Sequence, residues 1–339
     1  MLVLRCEKKK NTRRSPKRRR LQNKKRTYRT GNWKEYNAGL VQRGSLTLWI
    51  DQAVVDGWLS AERSGGRGAS PTYSDLAILA ALTLKVVYRL PLRATQGLLA
   101  SLLQLMDLAH LPVPDYSTLC RRQQTLEVAL PRSVSGSALH LVVDSTGCKM
   151  YGEGEWKVRQ HGISKRRTWR KLHVAVDAAT GLILGAVLTT NDVADGAVLP
   201  ALLEQVGEPI EQVSGDGSYD QRPCYDTLRQ RQSEQATPLR VTIPPRQGAR
   251  IWQHGNRQAE RLTRDENLRR IRQVGKKRWK EESGYHRRSL AETAMFRYKG
   301  IFGDKLSARL FESQAREAFI RGAALNTMTG LGMPESYVV

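Results

Sequence analysis

Tyr285, Arg288, Glu292 and Lys299 fall at offsets of three, seven and fourteen residues. At about 100° of rotation per residue, a single helix would aim them at roughly 0°, 300°, 340° and 320°, all on one face. A face that gathers a phenol, two cations and a carboxylate reads as a site rather than a solvated surface. Upstream, two aspartates sit in apolar-rich segments of strand character: Asp144 in Leu-Val-Val-Asp-Ser-Thr-Gly and Asp216 in Val-Ser-Gly-Asp-Gly-Ser-Tyr-Asp. Three carboxylates delivered by two strands and a helix are what a pair of hard divalent cations needs to act on a phosphodiester.

Each acid also has a structural reading. Asp144 ends an apolar strand before the turn-forming Ser145-Thr146-Gly147, so it would either bridge two metals or bond nearby backbone amides. Asp216 lies between Gly215 and Gly217, which let the backbone approach a ligand or simply make a turn. Asp220 and Asp226 are nearby rivals, but only Asp216 directly follows the apolar strand. Glu292 completes a capping-box pattern, Ser289-Leu290-Ala291-Glu292. A helix that starts at Ser283 instead lets Arg288 hold Glu292 from four residues away and leaves Lys299 to meet a phosphate. Asp177 reads as a hairpin-turn residue and Asp192 and Asp195 as loop residues, while His161 and His173 have no partner at metal or triad spacing.

The chain has 339 residues, enough for two domains or for one with appendages, and its formal net charge is +24. Residues 1–30 contribute fourteen Lys or Arg against one Glu, and residues 240–288 contribute fifteen against five, so the remainder is near neutral. Charge concentrated in this way calls for a densely anionic partner, and a nucleic acid fits better than a small acidic substrate. The four cysteines are far apart with no zinc spacing, which suits a reduced cytoplasmic protein without structural zinc. The most apolar stretch, Leu76 to Leu84, is stopped by Lys85 and Arg89, well short of the roughly 20 residues of a membrane span.

Residues 1–30 are too polar to offset the entropy of ordering, and read as a disordered basic extension. Residues 31–132 read as a helical, DNA-binding domain. Ser74 caps a helix from Leu76 to Leu90, Pro91 suits a first helical turn, and Ser117 or Thr118 caps a third helix. Three short helices fit a helix-turn-helix that presents Arg121, Arg122, Gln123 and Gln124 to a groove, or an ordinary bundle with its arginines in water. Residues 133–330 read as an α/β catalytic domain and residues 331–339 as a tail. Strands are expected at Leu139–Val143, Lys171–Asp177, Leu182–Thr189, near Val213 and at Arg240–Ile243, with helices between Val198 and Gln205 and between Pro223 and Gln230. The cluster Lys165, Arg166, Arg167, Trp169 and Arg170 mixes cations with an aromatic ring, a composition able to track a DNA backbone and stack on a base.

These residues resemble the bacterial insertion-sequence transposases with an Asp-Asp-Glu triad. The likeness is to the group whose signature is tyrosine, two residues, arginine, three residues, glutamate, six residues, lysine, which Tyr285, Arg288, Glu292 and Lys299 satisfy without a gap. Val143 to Gly147, Trp169 to His173, Gly215 to Asp220, Pro114 to Leu119 and the stretch from Asn32-Trp33 to Trp49 are similar to that family as well. The resemblance covers roughly residues 30–328; the basic extension and Cys148 have no counterpart in it. It implies a ribonuclease H-like catalytic domain, with mixed sheet and flanking helices, behind an α-helical domain that recognises terminal inverted repeats. It further implies that Asp144, Asp216 and Glu292 hold two Mg²⁺ ions, with Mn²⁺ able to substitute, and that Tyr285, Arg288 and Lys299 grip double-stranded DNA near the cut end. Strand cleavage followed by strand transfer into target DNA, by a homodimer or larger synaptic complex, is the activity this implies. A nuclease without transfer activity and a non-catalytic DNA-binding regulator are the alternatives.

Overall fold

The first strand pairs with the last. β1 (Tyr28–Thr30) lies antiparallel to β7 (Ser336–Val338), with Tyr28 opposite Val338. Asn32 secures the junction by donating to Met333 O at 2.9 Å and accepting from Glu335 N at 2.8 Å. Tyr28–Thr30 therefore departs from the disorder expected of residues 1–30, because its backbone partner lies some three hundred positions away, where local composition carries no information. The computed structural model describes residues 28–61, 72–130, 138–150, 169–253 and 261–339, and the rest of the basic extension lies outside them.

Helices follow: α1 (Trp33–Gln42), α2 (Gln52–Asp56), α3 (Asp75–Val87), α4 (Leu92–Leu105) and α5 (Tyr116–Thr125). Ser74 caps α3 as expected, accepting from Ala77 N at 3.1 Å. Two expectations shift. Pro91 stands just outside α4 as its N-cap residue, and α5 is capped by Asp115, which accepts from Ser117 N at 2.8 Å, so Ser117 and Thr118 lie inside the helix.

Next come β2 (Leu139–Lys149), β3 (Trp169–Asp177) and β4 (Ile183–Thr190), then α6 (Leu199–Glu204), β5 (Ile210–Ser214), α7 (Arg222–Ser233) and β6 (Arg240–Thr242). The chain closes with α8 (Thr263–Glu282), α9 (Ser289–Phe302) and α10 (Phe311–Gly330). The sheet order is β4-β3-β2-β5-β6; β4, β3 and β2 are antiparallel neighbours, whereas β2, β5 and β6 run parallel. A meander joined to two parallel strands, with helices on both faces, is the ribonuclease H-like arrangement.

Alternate side chains of a strand face opposite sides, and β2 uses both. Leu139, Leu141 and Val143 enter a core with Leu199, Leu202 and Leu228 of α6 and α7. Val142 enters a second core with Val174, Leu82, Leu99, Leu119, Ala291, Tyr298 and Leu325, so the early helices share one interior with the sheet, α9 and α10. The outer edge, β4, is closed by side-chain amides: Asn326 exchanges two bonds with the Ile183 backbone and Gln205 two with Ala186. Those bonds satisfy groups that would otherwise invite another strand.

One ion cluster ties α3 to α10. Glu317, 1% exposed, accepts from Ser307 N at 3.0 Å, Ser307 Oγ at 2.9 Å and Ala308 N at 2.9 Å, pairs with Arg321, and lies 4.0 Å from Lys85 Nζ. Burial alone would raise its carboxyl, but Lys85, Arg321 and the two amides outweigh burial and hold it below the usual range. Close packing also limits the turn after β5. A Cβ on Gly215 would lie 2.9 Å from Tyr219 Cδ2 and 3.1 Å from Val143 Cγ2, both on buried side chains with no room to yield.

Two stability outcomes follow from this packing. Glu317→Gln leaves Lys85 and Arg321 buried without a counter-charge and should cost about 3–5 kcal/mol in denaturant unfolding near neutral pH. Because the folded carboxyl is held low, that deficit should shrink as pH falls through the carboxylate range. Gly215→Ala should cost about 1–3 kcal/mol by overpacking, read as a lower unfolding midpoint at unchanged m-value.

Candidate active site

Parallel pairing puts the two aspartates at one level. Val142 of β2 is opposite Ser214 of β5, and Asp144 and Asp216 each lie two residues further on. β5 stops at Ser214, but β2 continues to Lys149 and pairs with β3, Asp144 opposite Val174. The expected turn at Ser145-Thr146-Gly147 is therefore strand, and Asp144 sits mid-strand where its neighbour on one side has ended. The departing chain is turned by Asp216 itself, whose carboxylate accepts from Ser218 N at 2.8 Å and from Ser218 Oγ at the start of a 3₁₀ turn, Gly217–Tyr219.

The third carboxylate arrives after a break rather than along one helix. α8 ends at Glu282, Gly284 takes the left-handed φ of 67°, Tyr285–Arg288 form a 3₁₀ turn, and α9 begins at Ser289. This corrects both expected local geometries, the continuous helix from Ser283 and the capping box, since the Ser289 hydroxyl donates to His286 O and makes no cap. Arg288 bridges the acids: Nη1 lies 3.2 Å from Asp144 Oδ2, and Nη2 bonds Glu292 Oε1 in the first turn of α9. The bond to Glu292 was legible from the four-residue spacing; the bond to Asp144 had no signal in the sequence.

The three acids lie within electrostatic reach of one another. Burial raises the Asp144 carboxyl above its ordinary value; the Ser145 amide and Arg288 oppose this, while the charges of Asp216 and Glu292 add to it. Burial likewise raises the Tyr285 phenol, Arg288 lowers it, and Asp216, Asp144 and Glu292 raise it further, so this side chain feels all three acids. Its ring packs 5.7 Å from that of Trp279, with Lys280 Nζ 5.1 Å from the ring centre. Lys299 lies two turns beyond Glu292 and acts on Cys148 and Asp304. The C-terminal end of α9 is held by Arg89, which donates to Ile301 O at 2.9 Å and Gly300 O at 3.0 Å.

Other sequence-predicted contacts separate from this centre. Arg122 is tied to Tyr73 O at 3.0 Å and Asp75 at 2.5 Å, and Gln123 is buried against Ser313 O, so neither is free to enter a groove; Arg121 is exposed. Arg170 is anchored on Gln314 at 2.9 Å and Phe311, and the Trp169 ring covers Gly147, with Lys149 Nζ 5.8 Å from its centre. Lys165, Arg166 and Arg167 lie outside the described residues, as does His161. Asp177 holds its hairpin turn through Ala179 N at 3.0 Å, and Asp220 is buried against Arg264 at 2.7 Å, as structural residues.

Three carboxylates, one of them raised by burial and by the charge of the other two, are a hard-oxygen donor set suited to divalent cations. Among the described residues no three acids close on a single point, and the cation between Asp144 and Glu292 is the Arg288 guanidinium. No described helix is long and apolar enough to cross a membrane.

Two family models and two solved structures are similar to this chain. A family model described as a transposase DDE domain matches residues 41–153. Among solved structures, the piggyBac transposase synaptic complex with hairpin DNA is similar at 10% identity over 85% of this chain and 75% of that one, with a TM-score of 0.36. The Drosophila P element transposase strand transfer complex is similar at 15% identity over 53% of this chain and 43% of that one, with a TM-score of 0.27. A second model of the same description matches residues 135–327, more than half of the sequence. Because that match runs from before β2 into α10 and takes in all three acids, the chain belongs to the DDE transposases, enzymes of phosphoryl transfer on DNA.

Proposed function

We propose that this enzyme is a bacterial insertion-sequence transposase that binds the terminal inverted repeats of its element, cuts at their ends and joins the released 3′ hydroxyl to target DNA. The observation that carries the reading is the Arg288 bridge from Asp144 to Glu292, beside an Asp216 held level with Asp144 by strand register. Asp144, Asp216 and Glu292 would hold two Mg²⁺ ions, or Mn²⁺ in their place, which when bound supply activation of the attacking oxygen and neutralisation of phosphate charge. The protein's own groups do the positioning. Ser218 orients Asp216, Arg288 orients Asp144 and Glu292, and Tyr285, braced by Trp279, presents its phenol beside them.

Residues 31–132, with exposed Arg121, are assigned to repeat recognition, residues 133–330 to catalysis and residues 331–339 to a tail. Tyr285, Arg288 and Lys299 are assigned to DNA near the cut end, and Lys165, Arg166, Arg167, Trp169 and Arg170 to the flanking backbone. Two ends must be processed together, so the working unit is a homodimer or larger synaptic complex on DNA. The net charge of +24 supports a polyanionic partner.

Asp144→Asn, Asp216→Asn and Glu292→Gln should each lower Mg²⁺-dependent cleavage of an inverted-repeat duplex by about a thousandfold or more, equivalent to about 4 kcal/mol of barrier. Repeat binding in a gel-shift assay should be largely retained. Cutting at the wild-type rate by any of the three would defeat the assignment. A pre-cut end with a free 3′ hydroxyl, mixed with plasmid target, should give covalently joined product; hydrolysis alone would reduce the activity to that of a nuclease.

A further inference from the structure

Between residues 240 and 288 the chain carries fifteen cations, most of them away from the carboxylates, and α8 arranges part of this charge. Gly275, with φ 82° and ψ 155°, interrupts α8. On a straight helix Arg270 and Glu282 would stand about 18 Å apart. Instead Arg270 Nε and Nη2 each lie 2.8 Å from a Glu282 oxygen, and Trp279 Nε1 lies 3.2 Å from Asn267 Oδ1. The segment is thus folded at Gly275 into two short helical arms.

Both arms are rooted in the protein. On the first, buried Arg264 pairs with Asp220 at 2.7 Å, and buried Asp265 accepts from Trp252 N and Gln253 N. On the second, buried Trp279 packs against Tyr285 of the active site. Arg270 and Arg278 both take up the charge of Glu282. The tip itself is left uncompensated, since Lys276 and Lys277 are exposed and form no ion pair among the described residues.

We propose that this tip grips the phosphate backbone of the duplex running into the active site; the inference rests on the transposase reading above. From Lys277 to the Tyr285–Arg288 turn, one arm and the turn span on the order of 10–15 Å. With about 3.4 Å of rise per phosphate on each strand, the lysines meet the backbone about three to four base pairs from the bond that is cut. A hinge that only glycine adopts without strain lets two adjacent lysines face outward at the end of a rooted hairpin, which is a rigid mount for a backbone contact.

The test is salt-dependent binding of an inverted-repeat duplex by the full chain. Lys276→Gln with Lys277→Gln, two exposed changes, should lower the slope of log K against log salt by about 2, at about 0.9 per phosphate released, and weaken binding about tenfold near physiological salt. Neutral methylphosphonates placed three to four base pairs from the cut should weaken wild type and leave the double variant unaffected. Arg229→Gln, an exposed site on α7 paired with Asp226, should change neither quantity. A double variant with the wild-type slope, or an Arg229→Gln effect of equal size, overturns the tip assignment while leaving the transposase reading intact. Wild type with no affinity for the repeat duplex removes both.

Discussion

The parallel register between β2 and β5 is the constraint from which the rest of the molecule takes its geometry. Val142 opposite Ser214 brings Asp144, on β2, and Asp216, two residues past the end of β5, to the same end of the sheet, where one strand stops and the other goes on. That register is itself held by burial on both faces. Leu141 and Val143 point into one core and Val142 into the other, so a slip of one residue would exchange the two sets and carry Asp144 into the interior. Gly215 tightens the constraint, because only a missing side chain lets β5 turn between Val143 and Tyr219.

On this frame the acidic centre is assembled against its own charge. Asp144, Asp216 and Glu292 repel one another, and the protein answers with local bonds: Ser145 N and Arg288 to Asp144, Ser218 to Asp216, Arg288 again to Glu292. Glu292 stays more than half exposed while Asp144 is mostly covered. One wall of the centre is thus fixed in the sheet and the other is presented from the first turn of α9. α9 is in turn secured at its far end by Arg89, from the turn between α3 and α4, and α3 is pinned to α10 by the Glu317 cluster. The helices before the sheet therefore share a continuous packed path with the helix that carries Glu292.

Positive charge is organised in the same spirit. Cations within the fold are consumed by carbonyls and acids, as with Arg264, Arg321 and Arg122. Lys276 and Lys277, at the Gly275 tip, have no such partner among the described residues. A count of basic residues does not separate the two classes, and burial with bonding does.

What was readable in the residues was whatever depends on near neighbours: the apolar strands, the hairpin around Asp177, the Ser74 cap and the Arg288–Glu292 spacing. Where long-range partners decide, the local signal misled. Tyr28–Thr30 looks disordered until β7 is beside it, Arg122 and Gln123 look free until Asp75 and Ser313 claim them, and Ser145-Thr146-Gly147 looks like a turn until β3 pairs with it. The expected helix start at Ser283 fails because Gly284 turns the chain just before Tyr285, yet the run from Tyr285 to Lys299 stays helical, with a 3₁₀ first turn leading into α9. The sequence alone thus determined which residue types are on hand and which elements carry them, since propensity and spacing act over a few residues. Only the tertiary structure decided that Asp144 meets an arginine 144 positions away and lies level with Asp216, because strand register and the closing of two cores are properties of the whole chain.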